Sequence, residues 1–258
     1  MNNGRNTMKK VIVFTMSFMS TCVLFAGITV TPVRVEIPLA KGMACDGKYT
    51  VRNDYDVPIK VDISSRDWFV LPENRDIKVD QWLKLSPLEL SLKPGESGDI
   101  HFLVTLSTKP VGSMVAMVSF VPVLEKDPGF NLMVSASMFV TVKGTEKTAW
   151  DFSGIKLSTY DGKLQAVTSV KNDGNVYLRP VGYATITAGK KEVAKLEFLE
   201  GRPVYPGMAR DVLAKSDGVL TLKPGKYTAL LQVECRGQMK EKSFKFKYKK
   251  SGEFEIIN

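Results

Sequence analysis

Residues 51–60 read VRNDYDVPIK, and residues 170–179 read VKNDGNVYLR. Val51 matches Val170, Arg52 matches Lys171, and the pair Asn53-Asp54 matches Asn172-Asp173. Past the turn, Val57 matches Val176, Ile59 matches Leu178 and Lys60 matches Arg179. A strand, an Asn-Asp turn and a second strand therefore occur twice, 119 residues apart. A rival repeat, LSLKPG at 90–95 and LTLKPG at 220–225, has a different spacing of 130. Pro94-Gly95 has a better partner in Pro206-Gly207, at an offset of 112, and Gly112 with its apolar run matches Gly225 at 113. Each half then runs in one order: an Asn-Asp hairpin, a Pro-Gly turn into a strand, and a glycine before a mostly apolar strand. The two LKPG motifs are turn chemistry used at different places, because proline presets φ and glycine supplies a positive one.

Working outward, a period of two recurs along the chain. Ile59, Val61 and Ile63 alternate with polar residues, as do Ile100, Phe102, Val104 and Leu106. Val134, Ala136, Met138, Val140 and Val142 alternate with smaller or polar residues, and Phe244, Phe246 and Tyr248 with lysines. No stretch between residues 28 and 258 keeps a helical period for three turns, so the chain is read as all-β. Two copies of this size, each with several short strands, fit two immunoglobulin-like β-sandwich domains. The expected division is residues 28–143, a polar linker at 144–149, a second domain at 150–248 and a tail at 249–258. A linker this short predicts a fixed bend between the halves.

The chain has 258 residues, 44% hydrophobic and 24% charged, with a formal charge of +9. Residues 1–27 have a basic start (Arg5, Lys9, Lys10), an apolar run, and small residues at Ala26 and Gly27. That is the layout of a cleaved secretory signal peptide, and the apolar run is shorter than the ~20 residues of a bilayer crossing. Its removal takes away three positive charges and no negative ones, leaving +6. The expectation is an exported, soluble protein without stable membrane insertion or a nucleic-acid partner. Cys45 and Cys235 fall in different halves and are expected to remain separate thiols. The only histidine, His101, and the scattered acids offer no metal site, no cofactor site and no nucleophile–base pair. The reading is therefore not an enzyme.

Four stretches in order behind a leader resemble the periplasmic pilus chaperone (PapD-like) superfamily. They are ITVTPVRVEI (28–37), YTVRNDYDVPIKVDI (49–63), LSPLELSLKPGESGDIHFLV (85–104) and GSMVAMVSFVPV (112–123). The resemblance covers about residues 28–143; the second half agrees as a generic immunoglobulin-like repeat. It implies a periplasmic protein that binds pilus or fimbrial subunits, with an outer-membrane usher as a further partner. Such chaperones lend the last strand of the first domain to a subunit lacking its own, so that backbone hydrogen bonds give affinity and alternate side chains fill a groove. The matching strand is 131–142, with Leu132, Val134, Ala136, Met138 and Val140 as its pairing residues. The same alternation equally suits a strand that covers its own core. The family also anchors the client's C-terminal carboxylate with two basic residues, of which Arg34 matches the first. The second, a lysine on the final strand, is absent: Phe139, Val140 and Thr141 occupy its region, and Lys143, just beyond, is the residue expected to join Arg34 in the anchor.

A non-catalytic envelope-binding or structural module is the alternative. Lys242, Lys245, Lys247, Lys249 and Lys250 make the last long strand a basic ladder backed by aromatics, a face suited to anionic polymers or headgroups. Solvated lysines on a closing strand, which block edge-to-edge pairing, have the same pattern.

Overall fold

The computed structural model describes residues 27–124, 132–219 and 222–257. The expected leader, apart from Gly27, and Asn131 lie outside the described residues.

Both halves are immunoglobulin-like β-sandwiches. In the first, β1 (Ile28–Thr31), β3 (Ala44–Asn53), β7 (Ser97–Thr105) and β5 (Leu83–Ser86) form a four-stranded sheet in the order β1-β3-β7-β5. Facing it are β2 (Arg34–Ala40), β9 (Val134–Lys143), β8 (Ser113–Val123), β4 (Ile59–Phe69) and β6 (Glu89–Leu92), in the order β2-β9-β8-β4-β6. The alternating apolar residues of both sheets point between them. Val61, Val51, Ile100, Val104, Val118, Phe120, Ala136, Met138 and Val140 are all completely or almost completely buried there. Tyr49 meets Phe102 and Phe120 at ring-centre distances of 5.4 and 5.5 Å. A single helical turn, α1 (Val79–Trp82), adds Val79 and Trp82 to this core.

The second half is one eight-stranded sheet folded over on itself. It comprises β10 (Trp150–Tyr160), β11 (Lys163–Asn172), β12 (Val181–Ala188), β13 (Lys191–Phe198), β14 (Ala209–Ser216), β15 (Gly225–Cys235), β16 (Gln238–Tyr248) and β17 (Phe254–Ile257). Their order is β10-β11-β14-β13-β12-β15-β16-β17, and β13 pairs with both β12 and β14, joining the two layers. Trp150, Phe152, Val170 and Ala214 from one layer meet Ile186, Leu231, Val233 and Phe246 from the other in a separate core. The expected tail at 249–258 needs correction, because Phe254–Ile257 pairs with Lys245–Tyr248 as the eighth strand. The apolar ring of Phe254 rests on Phe246 and Tyr248, at 5.9 and 4.9 Å between ring centres, and is partly covered there.

The repeat in the sequence corresponds to a repeat in hydrogen bonding. Asn53 Nδ2 donates to the carbonyls of Val57 and Leu92, and Asn172 Nδ2 donates to those of Val176 and Val204. The Gly95 N–H donates to the Asn53 carbonyl at 2.9 Å, and the Gly207 N–H to the Asn172 carbonyl at 2.8 Å. Both glycines have positive φ, 75° and 74°, as the turn requires. Pro94 is thus equivalent to Pro206, and the LKPG motifs are not equivalent. The linker is tied to both halves by Asn175. Its side chain donates to the Thr145 carbonyl and accepts from the Lys147 N–H, while its carbonyl accepts from the Ser113 N–H.

Candidate functional site

In the first domain, β9 is paired along both sides for only part of its length. On one side it runs antiparallel to β8 from Val134 to Thr141. On the other it runs parallel to β2, whose partners begin with Arg34 opposite Ser137 and end with Ala40 opposite Lys143. The Ser137 N–H donates to the Val33 carbonyl at 3.0 Å, so odd-numbered residues of β9 direct their backbone groups toward this side. At Ser135 the same side has no strand partner among the described residues. The residues that lead into this end of β2 and β9 are exposed and apolar: Val33 is 60% exposed, Leu132 42% and Met133 53%. Isolated exposed apolar residues are ordinary, whereas several together beside an unpaired strand edge fit the requirements of strand addition.

Further along the same sheet, its outer face meets the second domain. Phe139 of β9 packs on Tyr177 at 4.6 Å between ring centres, with Val115 alongside, and Phe69 stacks on Tyr205 at 4.7 Å. The Tyr177 N–H donates to Ser113 Oγ. At the rim of this contact Glu36, on β2, accepts from the Tyr177 hydroxyl at 2.9 Å and from Arg179 Nε at 2.8 Å. Burial, and then the neighbouring Glu36 charge, push the Tyr177 hydroxyl well above its ordinary value of 10.0. The Arg179 guanidinium lies over the Phe139 ring at 4.9 Å and is only 17% exposed. Arg34 completes the group. Its Nε is 3.5 Å from Glu36, and its Nη1 donates to Glu200, which the second domain delivers from the loop after β13. Arg179 Nη1 is 3.7 Å from the same Glu200 oxygen. Two arginines and two glutamates, one of each from either domain, thus close on one another across the cleft.

Among the sequence-predicted residues, Arg34 is in this cluster and Lys143 is not. Lys143 is exposed and lies six positions along β9 from the residue opposite Arg34, about 20 Å away at strand rise. Their expected pairing in one anchor is corrected accordingly. Ala136, Met138 and Val140 have 0% exposure because they fill the first domain's own core, so as they stand they are not free pairing side chains. Val134 is half-buried against that core, and Leu132 is exposed. The residues that the sequence did not single out for the site are Arg179, Glu200 and Glu36 in its hub role. The only signal for Arg179 was its match to Lys60 in the repeat.

The basic ladder is partly engaged within the fold. Lys242 Nζ donates to the Phe152 carbonyl and to Asp151 at 3.0 Å, and Lys240 Nζ donates to the Trp150 carbonyl at 2.5 Å. These lysines bridge β16 to the unpaired side of β10. Lys249 pairs with Glu253 and Glu255. Cys235 is buried, its thiol pushed up to about 12 by burial, and Cys45 is a separate, half-buried thiol. Among the described residues no group of three His, Cys, Asp or Glu side chains is placed to hold a metal.

No family model and no curated protein sequence matches the chain. Among solved structures it is similar to periplasmic-chaperone-type proteins of pilus and fimbrial systems, the class that the sequence motifs resemble. The Pseudomonas aeruginosa CupB2 chaperone is 12% identical, with 83% of this chain and 98% of that one covered and a TM-score of 0.43. The YadV chaperone is 16% identical, with 85% and 99% covered and a TM-score of 0.45. A Salmonella enterica SafA pilin in complex with the SafB chaperone gives 14% identity, 87% and 98% coverage and a TM-score of 0.42. At these values the fold rests on the strand pairing and cores described above.

Proposed function

We propose that this protein is an exported, non-enzymatic chaperone of pilus- or fimbria-type subunits, acting in the periplasm by lending a strand edge to a client. The observation that carries this reading is the side of β9 at Ser135, which has no strand partner among the described residues and is approached by exposed Val33, Leu132 and Met133. A client strand laid against this edge would pair with the backbone around Ser135, and its alternate side chains would reach the apolar border. The client's carboxylate would then lie on Arg34. Arg179, seated on Phe139, supplies the second positive charge in place of the absent strand lysine, so the anchor draws on both domains. Interaction with an outer-membrane usher belongs to the same proposal.

The test is Ser135→Pro. Among the described residues its N–H has no strand partner, so proline at this edge leaves the β8–β9 backbone ladder intact and costs only the 3.4 Å contact between the Ser135 and Ser119 hydroxyls, while removing a donor and obstructing an added strand. Co-expressed with exported pilin-type subunits, the variant should keep its melting temperature within about 2 °C and lose subunit capture by tenfold or more. A folded Ser135→Pro protein that retains every subunit of the parent would rule out strand donation from β9. Arg34→Ala should weaken capture about ten- to a hundredfold, as loss of a charged anchor predicts.

A further inference from the structure

Of the two carboxylates at Arg34, Glu36 belongs to the frame. It is on β2 and is held from the second domain by Tyr177 and Arg179. Glu200 is different. It lies in the loop between β13 and the Leu178–Val204 bridge, and among the described residues its only hydrogen-bond partner is Arg34. The adjacent Leu199 is 47% exposed, and a side chain on the next residue, Gly201, would meet only one atom, the Leu199 carbonyl oxygen at 3.9 Å. The Glu200 carboxylate can therefore swing off Arg34 by side-chain rotation without breaking a strand. The Arg34 side chain is 35% exposed, which leaves it reachable from solvent.

We infer that Glu200 is an internal occupant of the carboxylate site at Arg34, a built-in competitor that an incoming carboxylate must displace. The inference rests on the anchor reading above and adds to it a selection step. A site filled by its own side chain nine-tenths of the time binds any external carboxylate about tenfold more weakly. A carboxylate at the end of a chain already paired along β9 arrives at high effective concentration and overcomes this competition, whereas a free one in solution does not. Glu200 would thereby restrict the anchor to ligands that present an extended strand and a terminal carboxylate together.

Acetate is a suitable probe because it carries the carboxylate alone. It is titrated against chloride at constant ionic strength into the full exported chain, while the Nε–Hε signals of Arg34 and Arg179 are followed by NMR. Glu200→Gln keeps the side-chain shape and removes the charge, so its Arg34 signal should half-saturate at about three- to tenfold less acetate than the parent requires. Glu200→Asp keeps the charge one methylene further back and should fall between the two, which separates loss of a competitor from general loosening of the cleft. Equal half-saturation in the parent and Glu200→Gln would overturn the inference and leave the anchor standing. No acetate response at Arg34 in any of the three would remove the anchor, and the competitor with it.

Discussion

Asn53 and Asn172 each direct one buried amide at three backbone groups. In either hairpin Nδ2 donates to two carbonyls, and Oδ1 accepts from the N–H two residues on, that of Tyr55 or Gly174. The main chain of the same residue exchanges bonds with the Pro-Gly turn. Asn172→Ala would leave the Val176 carbonyl and the Gly174 N–H without these partners and take from the Val204 carbonyl one of its two donors, the other being the Leu178 N–H. The expected loss is about 2 to 4 kcal/mol, read by urea unfolding, with a similar loss for Asn53→Ala. A loss below about 1 kcal/mol would show that the Pro-Gly turns hold the hairpins unaided. These residues were legible in the sequence because a local turn determines both their identity and their neighbours. Arg179 was not, since its counterpart in the repeat, Lys60, is a surface residue paired with Glu89. Equivalent positions in two sandwiches acquire different roles once the sandwiches dock, and Glu200 meets Arg34 across 166 residues of chain with no pattern to announce it.

At the scale of the element, the period of β9 was readable and its partner was not. The alternation from Val134 to Val142 fixes which face is inward, and that face is the domain's own core. Which backbone edge remains open depends on where β2 joins in parallel register, and the apolar pattern holds no information about that. β17 shows the converse. Four residues, FEII, are too few to display a period, and Phe254 becomes a strand residue because Phe246 and Tyr248 offer it a surface. Phe254→Ala should therefore lower stability by about 1 to 2 kcal/mol, less than for a fully buried phenylalanine because this ring is only partly covered. Thermal unfolding of the purified variant measures it. An unchanged midpoint would return residues 249–258 to the status of a tail.

For the whole molecule, two separate cores are held at one angle by a small contact whose polar centre is Glu36. Domain contacts of this kind ordinarily permit relative motion, so the tilted ring contact of Phe139 on Tyr177 and the bond from the Tyr177 hydroxyl to Glu36 have a large share in fixing the bend. Tyr177→Phe keeps the ring and removes the bond, at an expected cost of about 1 to 2 kcal/mol at neutral pH for a partly covered bond to a charged acceptor. The pH dependence gives a sharper check. The folded phenol is held above its ordinary 10.0, so above that pH the unfolded chain loses this proton while the folded protein keeps it. The folded state then binds more protons, and the parent's stability falls as pH rises, by about 1.4 kcal/mol one unit beyond the unfolded value. The phenylalanine variant lacks this group, while every other tyrosine and cysteine titrates alike in both proteins. The stability gap between parent and Tyr177→Phe should therefore be constant from pH 7 to 9 and close to nothing near pH 11, measured by urea unfolding at each pH. A gap that persists undiminished at pH 11 would mean that the hydroxyl is not sequestered between the domains, and the bend would then have to be held by the ring stacks and the Asn175 strap.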